Sequence, residues 1–296
     1  MLEEERKYEV DPGFTLPDLT SLGRVVARPP KTLRATYYDT ADLRLARAGV
    51  SLRFRRGDRE PWTVKLPAGV PGIRHEISRP GVPSVIPADL LDLVTVWRRG
   101  APVAPVTVVR SKRRGYDVSG LAEIADDTVS VLDGRRVVMA FRELEVERTG
   151  GDREVLDRIE VLLGVSPSGE FTPKHVRALG PAALLPPDLP PPVRVRHRNA
   201  TAGEVAVAAI RTAVDRILTH DPLVRLRSPV GDDDTAVHQM RVGCRRLRSD
   251  LRTFGVLLDR AWVGELRGEL RWLADLLGAA RDAEVLRKRL SRRTRR

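Results

Sequence analysis

The sequence predicts an α+β chain: an antiparallel β-tunnel or barrel of about eight strands with flanking helices, then an all-α helical bundle module. Three observations predict it. Short runs with two-residue alternation fill residues 1–150, separated by turn residues. One face of several of these runs is almost wholly Glu, Arg and Lys. After L-G-P-A-A-L-L-P-P-D-L-P-P-P the period changes from two to about 3.6.

The runs are residues 3–10, 33–39, 50–56, 61–67, 73–79, 106–115, 118–125 and 137–148. Turn signals divide them, among them Pro29-Pro30, Gly57-Asp58, Pro71-Gly72 and Asp133-Gly134. Helices are expected at 41–48, 87–98 and 152–163, the last with Asp152 as its N-cap. The six prolines between 181 and 192 form a stiff connector. Beyond it, Thr201 and Glu204 have capping-box spacing. Helices are expected from there to His220, over 235–259, over 262–277 and from about 280. The domains are therefore 1–180, a linker at 181–199, and 200–296.

Alternate residues of a strand share a face. Glu3, Glu5 and Lys7 do so, as do Arg53 and Arg55, Arg74 and Glu76, Arg110, Lys112 and Arg114, and Glu143, Glu145 and Glu147. Lys65 faces away from Trp62, Val64 and Leu66 by the same count. Carboxylates concentrate in the first and last strands and cations in the middle ones. A sheet closed on itself brings the first and last strands together, so acids and bases meet across a polar lumen. Carboxylate oxygens are hard ligands that suit Mg²⁺ or Mn²⁺. Clustered Arg and Lys suit a ligand with several phosphates.

Composition narrows the partners. The formal charge is +12 and the pI about 10.6, which favours an acidic ligand. Only six of the 52 cations are lysine, so most can fork onto phosphate in bidentate fashion. Aromatic residues are 4%, too few for a base-stacking surface, so nucleic acid is not the expected partner. Cys244 is the sole cysteine, and neither a signal peptide nor a membrane-length apolar run is seen. A cytoplasmic protein without membrane attachment is expected.

The helical part carries a second pattern. Val237, Met240, Cys244, Leu247, Leu251, Phe254 and Leu258 step by three and four, the mark of a buried seam. That makes Cys244 a packed small residue. One position along, His238, Arg241, Arg245, Arg248 and Arg252 form a cationic stripe roughly 21 Å long. No acid interleaves it at helical pairing distance, which calls for an external anion.

Glu3-x-Glu5-x-Lys7 resembles the E-x-E-x-K opening of CYTH domains, the triphosphate tunnel metalloenzymes. The resemblance continues through Y-Y-D-T at 37–40, L-R-F-R at 52–55, W-T-V-K-L-P at 62–67, R-H-E at 74–76, the 110–114 run, A-E-I-A-D-D at 122–127 and E-L-E-V-E at 143–147. It implies a tunnel fold and metal-dependent hydrolysis of inorganic or organic triphosphate, or cyclisation of ATP. It implies catalytic roles for Glu3, Glu5, Lys7, Lys65 and Glu76. It assigns Mg²⁺ or Mn²⁺ to Glu3, Glu5, Glu143, Glu145 and Glu147, with Glu123 as a further acid. Triphosphate falls to Lys7, Arg53, Arg55, Lys65, Arg74, Arg110, Lys112 and Arg114. F-T-P-K-H-V-R-A-L at 171–179 looks like the family's closing S-K-Y-x-R-A-L segment, with His175 at the usual Tyr position and expected on a helix surface.

V-H-Q-M-R-V-x-x-R-R-L-R-S likewise resembles the defining motif of CHAD domains, and A-R-D-A-E-V-L at 280–286 a later stretch of them. That implies inorganic polyphosphate as the partner of His238, Arg241, Arg245, Arg248 and Arg252. Residues 200–296 correspond to the N-terminal part of such a domain, and a homodimer is one expected way to complete it. A polyphosphate-binding protein without catalysis is the alternative reading of the whole chain.

Overall fold

The structure, a computed structural model, describes residues 2–165, 172–195, 199–227 and 235–293. It divides into two compact units, Met1–Leu91 with Trp97–Pro186, and Asp92–Val96 with Pro187–Arg296.

The first unit is built on eight strands: β1 (Leu2–Glu9), β2 (Val25–Asp39), β3 (Ser51–Arg56), β4 (Trp62–Pro67), β5 (Ile73–Arg79), β6 (Ala104–Val118), β7 (Ala122–Asp133) and β8 (Arg136–Arg148). They close into an antiparallel barrel in the order β1-β5-β4-β3-β2-β6-β7-β8. The first and last strands pair, with Glu5 opposite Glu147 and Lys7 opposite Glu145. β2 begins earlier than its alternation predicts and runs through Pro29-Pro30. The two prolines sit at a register shift between Arg28 and Lys31, where a missing N–H costs no regular ladder bond.

An oily core lies outside the ring. Tyr8, Val118, Ile124, Leu144 and Val146 turn outward and pack under Val155, Leu156, Ile159 and Leu163 of α4 (Glu154–Leu163). The N-cap position of α4 is Arg153 rather than Asp152 and has no side-chain cap bond. The inside of the ring is polar, apart from a patch of Ala35, Tyr37, Val109 and Val129 near Ala178. Between β2 and β3, the short α1 (Arg44–Arg47) is anchored by Asp39 of the Y-Y-D-T motif. Its carboxylate accepts the backbone N–H groups of Thr40, Leu45 and Ala46 at 2.7, 2.9 and 2.8 Å, a structural task that leaves Asp39 outside the charged lumen.

β6 departs from its expected facing. Arg113 pairs with Lys31 and Asp127 and points inward, so Arg110, Lys112 and Arg114 point outward. Exposure agrees: Ser111 is buried while Lys112 and Arg114 are exposed. Cations at 110, 112, 113 and 114 satisfy both parities, and the pairing of β6 with β2 and β7 selects between them. Two further helices, α2 (Ala88–Leu93) and α3 (Thr95–Arg98), occupy the single helical stretch read from sequence. After β8 and α4, the chain forms α5 (Lys174–Leu179).

The second unit holds α6 (Ala202–Arg225), α7 (Ala236–Thr253) and α8 (Arg260–Arg293). The Thr201–Glu204 capping box is formed, with the Thr201 N–H donating to Glu204 at 2.8 Å. α6 continues through Pro222 instead of ending before it, and Asp221 holds Arg225 one turn on at 2.9 Å. α8 is one helix where two were expected. Met240, Cys244, Leu247 and Leu251 of α7 pack with Val263, Leu270, Ala274 and Leu277 of α8 and with Ala213 of α6. Gly243 lets α6 approach, since a Cβ there would lie 2.9 Å from Ile217. Among the described residues no helix is long and apolar enough to cross a membrane.

Candidate active site

The ring encloses a cavity of about 470 Å³. Its wall follows from strand parity. β1 contributes Glu3, Glu5 and Lys7; β3, Arg53 and Arg55; β4, Lys65; β5, Arg74 and Glu76; β8, Glu145 and Glu147. These are the alternating charged positions of the sequence, and the structure brings them together. It adds Arg113, Tyr37, Glu123, Lys174 and His175. It leaves Arg110, Lys112 and Arg114 on the outer surface.

The acids form two groups. Glu147 stands directly between Glu5 on β1 and Glu123 on β7, a lateral row of three carboxylates on adjacent strands. Burial, then the neighbouring Glu3, pushes Glu147 up to about 7, with Lys65 opposing. Burial likewise raises Glu3, against the pull of Lys65. Lys65 bridges Glu3 and Glu76, the latter at 2.9 Å. The second group is neutralised. Burial alone would raise Glu145, but Lys174, Lys7 and Arg113 hold it well below the usual carboxylate range. Arg113 reaches Glu145 at 2.6 Å and Asp127 at 2.6 Å, and Lys174 reaches Glu145 at 3.0 Å and Glu143 at 3.2 Å. Lys7 pairs with Glu145 and stands 3.6 Å from Glu5. Glu143 is thus sealed beside α5 rather than lining the cavity.

α5 places its first two residues inside. Lys174 and His175 are both buried, so His175 is not on a helix surface as its sequence context suggests. Its ring stacks on Tyr37, with centroids 5.1 Å apart and planes 17° from parallel. Burial, with Arg74 and Lys7 nearby, lowers its pKa to about 3, so the imidazole is neutral. The Val50 N–H is already given to Leu45, so the His175 bond to Val50 runs to the carbonyl. Arg177, one turn along, binds Glu9 at 2.6 Å and lies over the Phe141 ring at 3.8 Å. Phe171 of the same motif lies outside the described residues.

Among the described residues, no group of three His, Cys, Asp or Glu side chains is already gathered in ligating geometry. The donor chemistry nevertheless fits a hard divalent cation. Glu5 and Glu147 are hard oxygen donors held side by side, with Glu3 nearby and Glu123 next in the row but forked by Arg28 at 3.0 and 2.5 Å, and a cation would relieve the burial and carboxylate repulsion that raise Glu147.

In the second unit, the Thr235 hydroxyl caps α7 by accepting the His238 N–H at 3.2 Å. Arg241, Arg245 and Arg252 are exposed, while His238 and Arg248 are half-buried. Asp250 is taken by Arg246 at 3.1 Å, off the stripe.

The fold and wall define an inside-out barrel, oily outside and charged within. The CYTH domain model matches residues 1–166, and the chain belongs to that family. The CHAD domain model matches residues 208–296. The Mycobacterium tuberculosis protein Rv2226 is 37% identical over 328 aligned positions, covering 98% of this chain. The chain spans 60% of that relative's length. Among solved structures, Bacillus halodurans bh2851, proposed as an adenylate cyclase, is 18% identical over 59% of this chain and 96% of its own, with a TM-score of 0.40. Hippeastrum HpAC1, described with a dominant triphosphatase activity, is 18% identical over 63% and 99%, with a TM-score of 0.36.

Proposed function

We propose that the tunnel hydrolyses the terminal phosphoanhydride of a triphosphate with Mg²⁺ or Mn²⁺, and that the α7 stripe binds inorganic polyphosphate. The observation that carries the first part is the meeting of two opposite half-walls in one cavity. Glu5 and Glu147, adjacent on paired strands, with Glu3 beside them, supply hard oxygen donors. Arg53, Arg55, Arg74 and Arg113 supply forked donors for phosphate oxygens.

A phosphoryl transition state spreads negative charge over its oxygens, so positioning and fixed positive charge dominate its stabilisation. Glu3, Glu5 and Glu147 would hold the ion, which when bound polarises the terminal phosphoryl group and lowers the pKa of an attacking water. Arg53 and Arg74 would grip the phosphate chain. Lys7 and Lys65 carry the charge that offsets the departing diphosphate, and Glu76 keeps Lys65 in place. The water oxygen bonds the terminal phosphorus. The bridging P–O bond breaks with its electron pair on the diphosphate, and the water protons go to phosphate and solvent.

The test is phosphate release from tripolyphosphate with Mg²⁺ or Mn²⁺, set against Glu5→Gln. Equal rates for the two proteins defeat the proposal. For the stripe, calorimetric titration of long-chain polyphosphate is compared with Arg241→Ala/Arg245→Ala, and identical affinity removes the stripe from the binding site.

A further inference from the structure

The outer face of the barrel carries a second charged row. Arg34 on β2 is paired laterally with Arg56 on β3 and with Arg110 on β6. Lys112 and Arg114 follow Arg110 on the same face of β6. Like charges directly opposite on neighbouring strands are unfavourable. Arg34, Arg56, Lys112 and Arg114 are exposed, and the Arg110 Nε is buried with no hydrogen-bond partner. The acid opposite Arg114 is Asp126, and both its oxygens are occupied by Arg142 at 2.9 and 2.8 Å.

Beside the row lies a groove of about 1180 Å³ between the β6–β8 face and the 10–14 loop. Thr32, Thr128, Lys112 and Arg114 line it, with Asp11 and Glu9 at its rim, Glu9 being held by Arg177.

We propose that this outer face is a binding surface for inorganic polyphosphate, separate from the tunnel. Charge complementarity argues for a polyanion: the cations recur about every 5–7 Å along and across the strands, the spacing of adjacent strands and of alternate residues. The lining argues for bare phosphate over nucleic acid. Lys112, Arg114, Thr32 and Thr128 supply donors, and its two aromatics, Phe14 and Phe141, each already carry a guanidinium, Arg142 and Arg177. The surface shares phosphate chemistry with the proposed tunnel reaction but does not depend on catalysis there.

The experiment titrates long-chain polyphosphate into full-length Arg241→Ala/Arg245→Ala, which silences the α7 stripe, with and without Arg34→Ser/Lys112→Ser/Arg114→Ser. The triple substitution is expected to weaken binding about tenfold or more. It should also flatten the log–log salt dependence by about two, three phosphate contacts at roughly 0.7 each. Tripolyphosphate cleavage stays unchanged, which keeps this result distinct from any failure of the hydrolase reading. Lys112→Gln/Arg114→Gln serves if the triple variant unfolds. Unchanged affinity and slope overturn the proposal. So does a variant that loses only duplex RNA or anionic vesicles, or one that folds normally yet loses cleavage.

Discussion

The inner face of β7–β8–β1 and the outer face of β3–β2–β6 repeat one motif with opposite sign. Inside, Glu123, Glu147 and Glu5 stand abreast on adjacent strands. Outside, Arg110, Arg34 and Arg56 do the same. The difference lies in the surroundings. The acid row is partly buried, with Lys65 opposing and Arg28 on Glu123, and burial together with the neighbouring carboxylates raises the Glu147 pKa. The basic row, the Arg110 Nε apart, faces water, where repulsion is weaker than in a buried site and falls as salt is added. Burying adjacent carboxylates favours a cation beside them, while an exposed basic row favours an anionic partner.

Breaking the acid row should give the largest effect. Glu5→Gln is expected to lower metal-dependent tripolyphosphate cleavage by about 10² or more, read as kcat, with the metal titration shifted to higher concentration. Next comes the neutralised group. Lys174→Met leaves Asp127, Glu143 and Glu145 short of a buried partner. Removing one side of a buried ion network costs about 3–5 kcal/mol, visible as a clear fall in Tm.

The acid row also predicts a pH signature. Folded Glu147 titrates at about 7 against an ordinary value of 4.5. Between these values the folded state holds a proton that the unfolded chain does not, so stability of the metal-free protein falls as pH rises through this window. Glu147→Gln should flatten that slope, and Mg²⁺ should oppose it in the wild type, both measured by thermal melts. His175 gives the reverse sign. It stays neutral down to about 3, so stability drops as pH falls below about 6.5, and His175→Phe removes that part of the acid limb. The smallest effect belongs to the outer row. Arg34→Thr relieves two like-charge pairs and should stabilise by about 0.2–1 kcal/mol at low salt, with the gain fading as salt is added.

Much of this was legible in sequence because strand parity is strict. Arg53, Lys65 and Glu145 each stand between two apolar neighbours, so their inward facing was readable, and Glu3, Glu5, Arg74 and Glu76 follow the same two-residue step. At 110–114 the alternation is broken by adjacent cations, and only pairing with Lys31 and Asp127 decides that Arg113 turns in. Lys174 and His175 were hidden for a different reason. A six-residue helix has no periodicity long enough to show which face is buried, and its polar first turn looks solvated. Pro222 misled because a proline that ordinarily ends a helix is carried within α6.

The lysine bridges have a consequence for selectivity. Without ligand, Lys65 is already claimed by Glu3 and Glu76, and Lys7 by Glu145 and Glu5. The wall thus supplies counterions to its own charges. A phosphate that takes up Lys7 or Lys65 would have to pull it from its carboxylates, and a cation on Glu3 or Glu5 would have to do the converse. Only a guest bringing several anionic oxygens together with a multivalent cation replaces both halves of each broken bridge. On the proposed reading, a triphosphate carrying a divalent ion is therefore expected to displace these bridges more readily than monovalent salts do.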